Sequence, residues 1–142
     1  MIKTCVLLYL GLTGPMTSQG LYKLQTRLEQ LPSTTVEVVY TTGSFSPQCH
    51  LKIVGGHSIG VYRALQKAKA SHVDLLVAFD GYGFLWTEKP NADYTINVYA
   101  GGWRLPSLTG QQIQVQAPHV GIEGYEHERI IGYIRKLQVD LQ

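Results

Sequence analysis

Leu51-Lys52-Ile53-Val54-Gly55-Gly56-His57-Ser58-Ile59-Gly60 carries a short apolar run into a glycine-rich bend, and a helical pattern with Ile59, Leu65 and Ala68 inward follows it. A run of that kind, not alternating with polar residues, fits a strand buried on both faces, as in parallel sheets covered by helices. The same grammar recurs outward in both directions. Cys5 to Leu10 is continuously apolar and breaks into Gly11-Leu12-Thr13-Gly14-Pro15; Leu21, Leu24, Leu28 and Leu31 then recur at helical spacing until Pro32 stops them. Thr35 to Tyr40 is rich in β-branched residues, Val73 to Phe79 is another buried run ending at Asp80-Gly81, and Tyr94 to Ala100 alternates. Ile113 to Ala117 gives a last strand, and a closing helix from Tyr125 to Leu137 turns Ile130, Ile131, Ile134 and Leu137 inward. Strands alternating with helices predict βαβ units, hence a three-layer α/β/α fold of about six mostly parallel strands in one domain spanning residues 1–142.

Composition agrees with a packed core and narrows the partners. Of 142 residues, 44% are hydrophobic and 15% charged, against about 25% charged in ordinary soluble domains, which speaks against disorder, coiled coils and charged tails. Twelve basic and ten acidic residues leave a net charge of +2. The basic residues are scattered, with no stripe to track a phosphate backbone, so nucleic acid is not an expected partner. No apolar run reaches the roughly 18 residues of a membrane span. Cys5 and Cys49 show no CxxC or Cys/His ligand spacing, so neither a metal nor a redox pair is expected, and both read as free thiols. Met1 to Leu10 lacks a small-residue cleavage site and reads as a buried strand; with free thiols this makes the cytoplasm the expected compartment and secretion the alternative.

In open α/β sheets ligands bind beyond the carboxyl ends of the strands, so the residues that follow each apolar run are the informative ones. Ser58, Asp80 and His119 occupy such positions. A serine hydroxyl becomes a nucleophile when an imidazole takes its proton, and the imidazole needs a carboxylate to fix its tautomer. Gly56-His57-Ser58-Ile59-Gly60 also fits Gly-x-Ser-x-Gly between a strand and a helix, where a nucleophile stands on a sharp turn between glycines.

With Asp80 and Pro118-His119 downstream, the chain resembles the α/β-hydrolase superfamily in a small lipase or esterase-like form without a cap domain. The resemblance implies Ser58 as nucleophile, His119 as base and Asp80 as acid, the last at the less usual position, since Ala100-Gly101-Gly102 follows the next strand. It implies an oxyanion hole from the backbone N–H of Ile59 with that of Leu12 or Thr13, and a carboxylic ester as the substrate, small or surface-presented. No cofactor is implied. A thioesterase, an amidase or an inactive binding protein on the same fold are the alternatives. Gly11 to Pro15 lacks the glycine and lysine spacing of a phosphate loop, which argues against a flavodoxin-like nucleotide protein.

Each residue also has a plainer reading. Ser58 can cap the helix it precedes, and Asp80 can make an Asx-turn with Gly81. His119 competes with His50 before a strand, His72 at a helix end, His127 on a helix, and His57, which sits inside the turn aimed away from Ser58. His57, Tyr82, Trp86 and Trp103 are the candidate substrate contacts, the two tryptophans as walls of an apolar pocket. Phe84 and Leu85 in the same loop read as core.

Overall fold

The computed structural model describes residues 1–81, 90–100 and 110–142. Tyr82, Phe84, Leu85, Trp86 and Trp103 lie outside the described residues. The described chain runs β1 (Thr4–Tyr9), α1 (Gln19–Leu28), β2 (Thr34–Val39), β3 (Leu51–His57), α2 (Ile59–Ala70), β4 (Val73–Phe79), β5 (Ala92–Tyr99), β6 (Gly110–Gln114) and α3 (His127–Asp140). The strands form one six-stranded sheet in the order β2-β1-β3-β4-β5-β6, and every pairing is parallel.

The apolar runs are continuous because the sheet is covered on both faces. On one face Val6, Leu8, Ile53, Leu75, Val77 and Ile96 pack against Leu21, Leu24 and Leu28 of α1 and Ile130 and Ile134 of α3. On the other, Leu7, Tyr9, Val54, Leu76 and Ala78 pack against Val61, Ala64, Leu65 and Ala68 of α2. From β1 the chain steps one way with α1 on the first face; from β3 it steps the opposite way with α2 on the second. Reversing both direction and face keeps the crossover hand constant, as parallel βαβ units require. The reversal falls between β1 and β3, the kind of point beyond whose carboxyl edge open α/β sheets have their ligand crevice.

Several sequence expectations are corrected in detail. The third strand extends through Gly55, Gly56 and His57, because all three stay in ladder register with Val77, Ala78 and Phe79 of β4. The last strand starts at Gly110 rather than Ile113; it is a mostly exposed edge strand, and Gly-Gln-Gln carries no apolar signal. The buried residues of α3 are His127, Ile130, Ile134 and Gln138, with Ile131 and Leu137 half-buried beside them. Gln138 is tolerated inside because its Nε2 donates to the hydroxyls of Thr4 and Thr34, at 2.9 and 3.1 Å.

Cys5 and Cys49 are not free thiols but a disulfide, with Cα atoms 5.9 Å apart. Parallel pairing sets Cys5 opposite Lys52, so continued register would put residue 49 beside Ile2; the turn before β3, closed by the Cys49 N–H on the Ser46 carbonyl, brings Cys49 to Cys5 instead. The bridge therefore fastens the two strands that flank the crevice.

Candidate active site

Two backbone features place Ser58. Its N–H donates to the carbonyl of Phe79 at 3.0 Å, continuing the β3–β4 ladder, while its own carbonyl accepts from Val61 in the first turn of α2. One residue thus makes the whole change from strand to helix, and it does so at φ 60°, ψ −124°. That conformation, the mirror image of the first central residue of a type II turn, favours glycine and strains any side chain.

The glycines on either side are needed for space. A Cβ on Gly56 would stand 2.3 Å from the Gly60 carbonyl oxygen, and one on Gly60 would stand 2.1 Å from that of Tyr9. The bend therefore folds α2 back against β3 and sets its start on the end of β1. No side-chain cap is made by Ser58, so the helix-capping reading fails; the hydroxyl is committed elsewhere.

It is committed to His119. The Ser58 hydroxyl donates to His119 Nε2 at 2.8 Å, and His119 Nδ1–H donates to Asp80 Oδ2 at 2.6 Å. Asp80 follows β4 with φ 51°, its N–H bonded to the Val98 carbonyl at 2.7 Å and its Oδ1 accepting the Ala100 N–H at 3.1 Å. The carboxylate is thus held by backbone on one side and imidazole on the other. Both ends of the line are buried, Asp80 at 4% and Ser58 at 7% exposed, while the side chain of His119 between them is 36% exposed. With Nδ1–H given to the Asp80 carboxylate, the imidazole is fixed with its acceptor nitrogen toward the serine.

Ile59 opens α2, so its N–H has no intrahelical acceptor and sits next to the Ser58 hydroxyl's turn. Leu12 and Thr13 lie in the exit loop of β1, where the Gly11 and Gly14 N–H groups are already used, by Ser18 Oγ and the Gly11 carbonyl. The Thr13 hydroxyl pairs with that of Thr17 at 2.5 Å. Leu12, Met16 and Val120 project into solvent from the two loops that follow β1 and His119.

His57 is not a substrate contact. It is 1% exposed, with Nδ1 bonded to Ser18 Oγ at 2.8 Å and Nε2 to the His119 carbonyl at 2.6 Å. Alternation along β3 explains this: His57 points into the protein next to Ser58, not out toward the crevice. Burial pushes its pKa below the usual imidazole value. Ser18 and Glu123, which meet it there, carry no sequence signal, because both stand in loops whose approach to β3 depends on the folded sheet. The other buried imidazole, His127, donates from Nε2 to the Glu123 carbonyl at 2.7 Å and is likewise depressed by burial. Among the described residues no group of three His, Cys, Asp or Glu is placed to hold a metal ion, and no helix is long and apolar enough to cross a membrane.

No protein-family model and no curated protein matches the chain. What defines it is a three-layer α/β fold carrying a hydrogen-bonded serine–histidine–aspartate line at the carboxyl edge of a parallel sheet.

Proposed function

We propose that the protein is a serine hydrolase that cleaves a carboxylic ester through an acyl-enzyme, as its resemblance to the α/β-hydrolases implies. The observation that carries this reading is the unbroken line from the strained Ser58 through His119 to Asp80. Ser58 Oγ attacks the acyl carbon as its proton passes to His119 Nε2, and Asp80 stabilises the imidazolium. The tetrahedral oxyanion is met by the N–H of Ile59 and one from Leu12 or Thr13. Collapse breaks the bond to the alkoxy oxygen, which leaves as the alcohol with the proton from His119. Water then attacks the acyl-enzyme, giving its proton to His119; collapse releases the acid and returns the proton to Ser58. Leu12, Met16 and Val120 on the bordering loops suit an apolar acyl group or an ester presented at a surface. The Cys5–Cys49 bridge removes the free-thiol argument for the cytoplasm and favours a compartment where disulfides persist.

Intact mass after exposure to a fluorophosphonate tests the reading. The expected result is one adduct on the wild-type protein, absent in Ser58→Ala and strongly slowed in His119→Ala. A folded wild-type protein that takes no label would refute an activated serine and leave a binding role on the same fold.

A further inference from the structure

Under the Ser58 turn lies a second set of polar groups to which acyl transfer gives no task. Ser18, His57 and Glu123 are 0%, 1% and 2% exposed. Groups so deeply buried are costly unless each finds a partner, and here the partners form a directed chain. The His119 carbonyl oxygen can only accept, so His57 Nε2, 2.6 Å away, must carry the proton. A neutral imidazole with Nε2 protonated offers Nδ1 as acceptor, so the Ser18 hydroxyl must donate to it across 2.8 Å. The Ser18 oxygen in turn accepts the Gly11 N–H at 3.0 Å. Every proton position in the chain is thus fixed by its neighbour.

Glu123 closes the arrangement from the other side. Its Oε1 accepts the Gly121 N–H at 2.9 Å and stands 3.4 Å from His57 Nε2, and its Oε2 accepts the Gly20 N–H at 3.0 Å at the start of α1. The segment carrying His119 is consequently held at residue 119 by β3 and at residue 121 by a carboxylate that also grips α1. Gly11 ties the same network to the loop that carries Leu12 and Thr13.

We propose that Ser18, His57 and Glu123 are positioning residues: a buried strut that fixes the main chain of His119, and so its ring between Ser58 and Asp80, and couples it to the exit loop of β1. The strut touches no substrate. Its effect on turnover rests on the acyl-transfer reading above; its effect on the His119 ring does not.

Long-range ¹H–¹⁵N correlation at neutral pH reads the histidine protons directly. In the wild-type protein the expected result is a neutral His57 with its proton on Nε2, and a downfield Nδ1 proton on His119. A charged His57, or one protonated on Nδ1, overturns the proposal without recourse to any variant. His57→Phe fills the space without a donor and should lose the downfield His119 proton, whereas His57→Gln keeps an N–H for the carbonyl and should retain it. Ser18→Ala, which removes the donor to Nδ1 together with the acceptor of the Gly11 N–H, provides a second comparison if His57→Phe fails to fold. Fluorophosphonate labelling should slow by about ten- to a hundredfold in His57→Phe and recover to within a few-fold in His57→Gln, since displacement by an ångström costs that much. A His119 proton and labelling rate unchanged in His57→Phe and Ser18→Ala overturn the strut. Expected proton behaviour in a wild-type protein that takes no label would sustain the strut and refute the hydrolase reading.

Discussion

The conformation of Ser58 yields a stability prediction that separates backbone strain from the loss of the hydroxyl. At φ 60°, ψ −124° a residue with a Cβ bears backbone strain of about 1–3 kcal/mol, which glycine does not. Replacing Ser58 by Ala or by Gly removes the same hydroxyl, so the lost hydrogen bond to His119 cancels when the two variants are compared. What remains is the strain relieved by Ser58→Gly, less about 0.4–1 kcal/mol for the greater freedom of glycine in the unfolded chain. Ser58→Gly should therefore be more stable than Ser58→Ala by about 1 kcal/mol, or about 4 °C in Tm for a chain of this size. Urea and thermal melts of the oxidised proteins, followed by circular dichroism, measure the difference. If Ser58→Ala proves equal to or more stable than Ser58→Gly, the turn is not strained, and the account of how β3 and α2 present the hydroxyl fails.

Three further outcomes follow from the same contacts. Asp80→Asn keeps the volume but places an amide against His119 Nδ1, favouring the wrong tautomer; fluorophosphonate labelling should slow by about 10³- to 10⁴-fold, and a rate within tenfold of wild type would remove Asp80 from the acid role. The disulfide closes a segment of 44 residues, so Cys5→Ala with Cys49→Ala should cost up to about 4 kcal/mol in a urea melt, and denatured wild-type protein should titrate no thiol; a loss under 1 kcal/mol would contradict this. His57 and His127 are buried with folded-state pKa values below the unfolded value of about 6.5. Above that pH they add no pH dependence; below it the unfolded chain takes up protons that the fold excludes. Stability should fall as the pH drops below about 6.5, by an amount on the order of 1 kcal/mol per histidine at most near pH 5.5, levelling off below the folded values, and His127→Gln should reduce the loss. His72, raised by its bonds to Asn91 and Asp93, runs the opposite way but sits at the surface.

Much of the molecule was legible locally. The apolar runs at Cys5–Leu10, Leu51–Val54 and Val73–Phe79 do not alternate, because both sides of each strand are covered, and that alone implies a parallel sheet between helical layers. A parallel sheet sends all its strand ends to one edge, so Ser58, Asp80 and His119, each just past a run, converge without knowledge of strand order. Gly56 and Gly60 are likewise local: one helical turn folding back on its own strand leaves no room for a Cβ.

Only the tertiary structure decided what depends on which strands are neighbours. The order β2-β1-β3 sets Cys5 beside Cys49, and no spacing in the chain encodes that adjacency. It equally converts His57 from an expected substrate contact into a buried donor to the His119 carbonyl, and assembles Ser18 and Glu123, 105 positions apart in the chain, around it. Hydrophobic periodicity reports whether a residue faces inward; it does not report which polar group waits there, because that partner arrives from a distant segment only when the sheet closes.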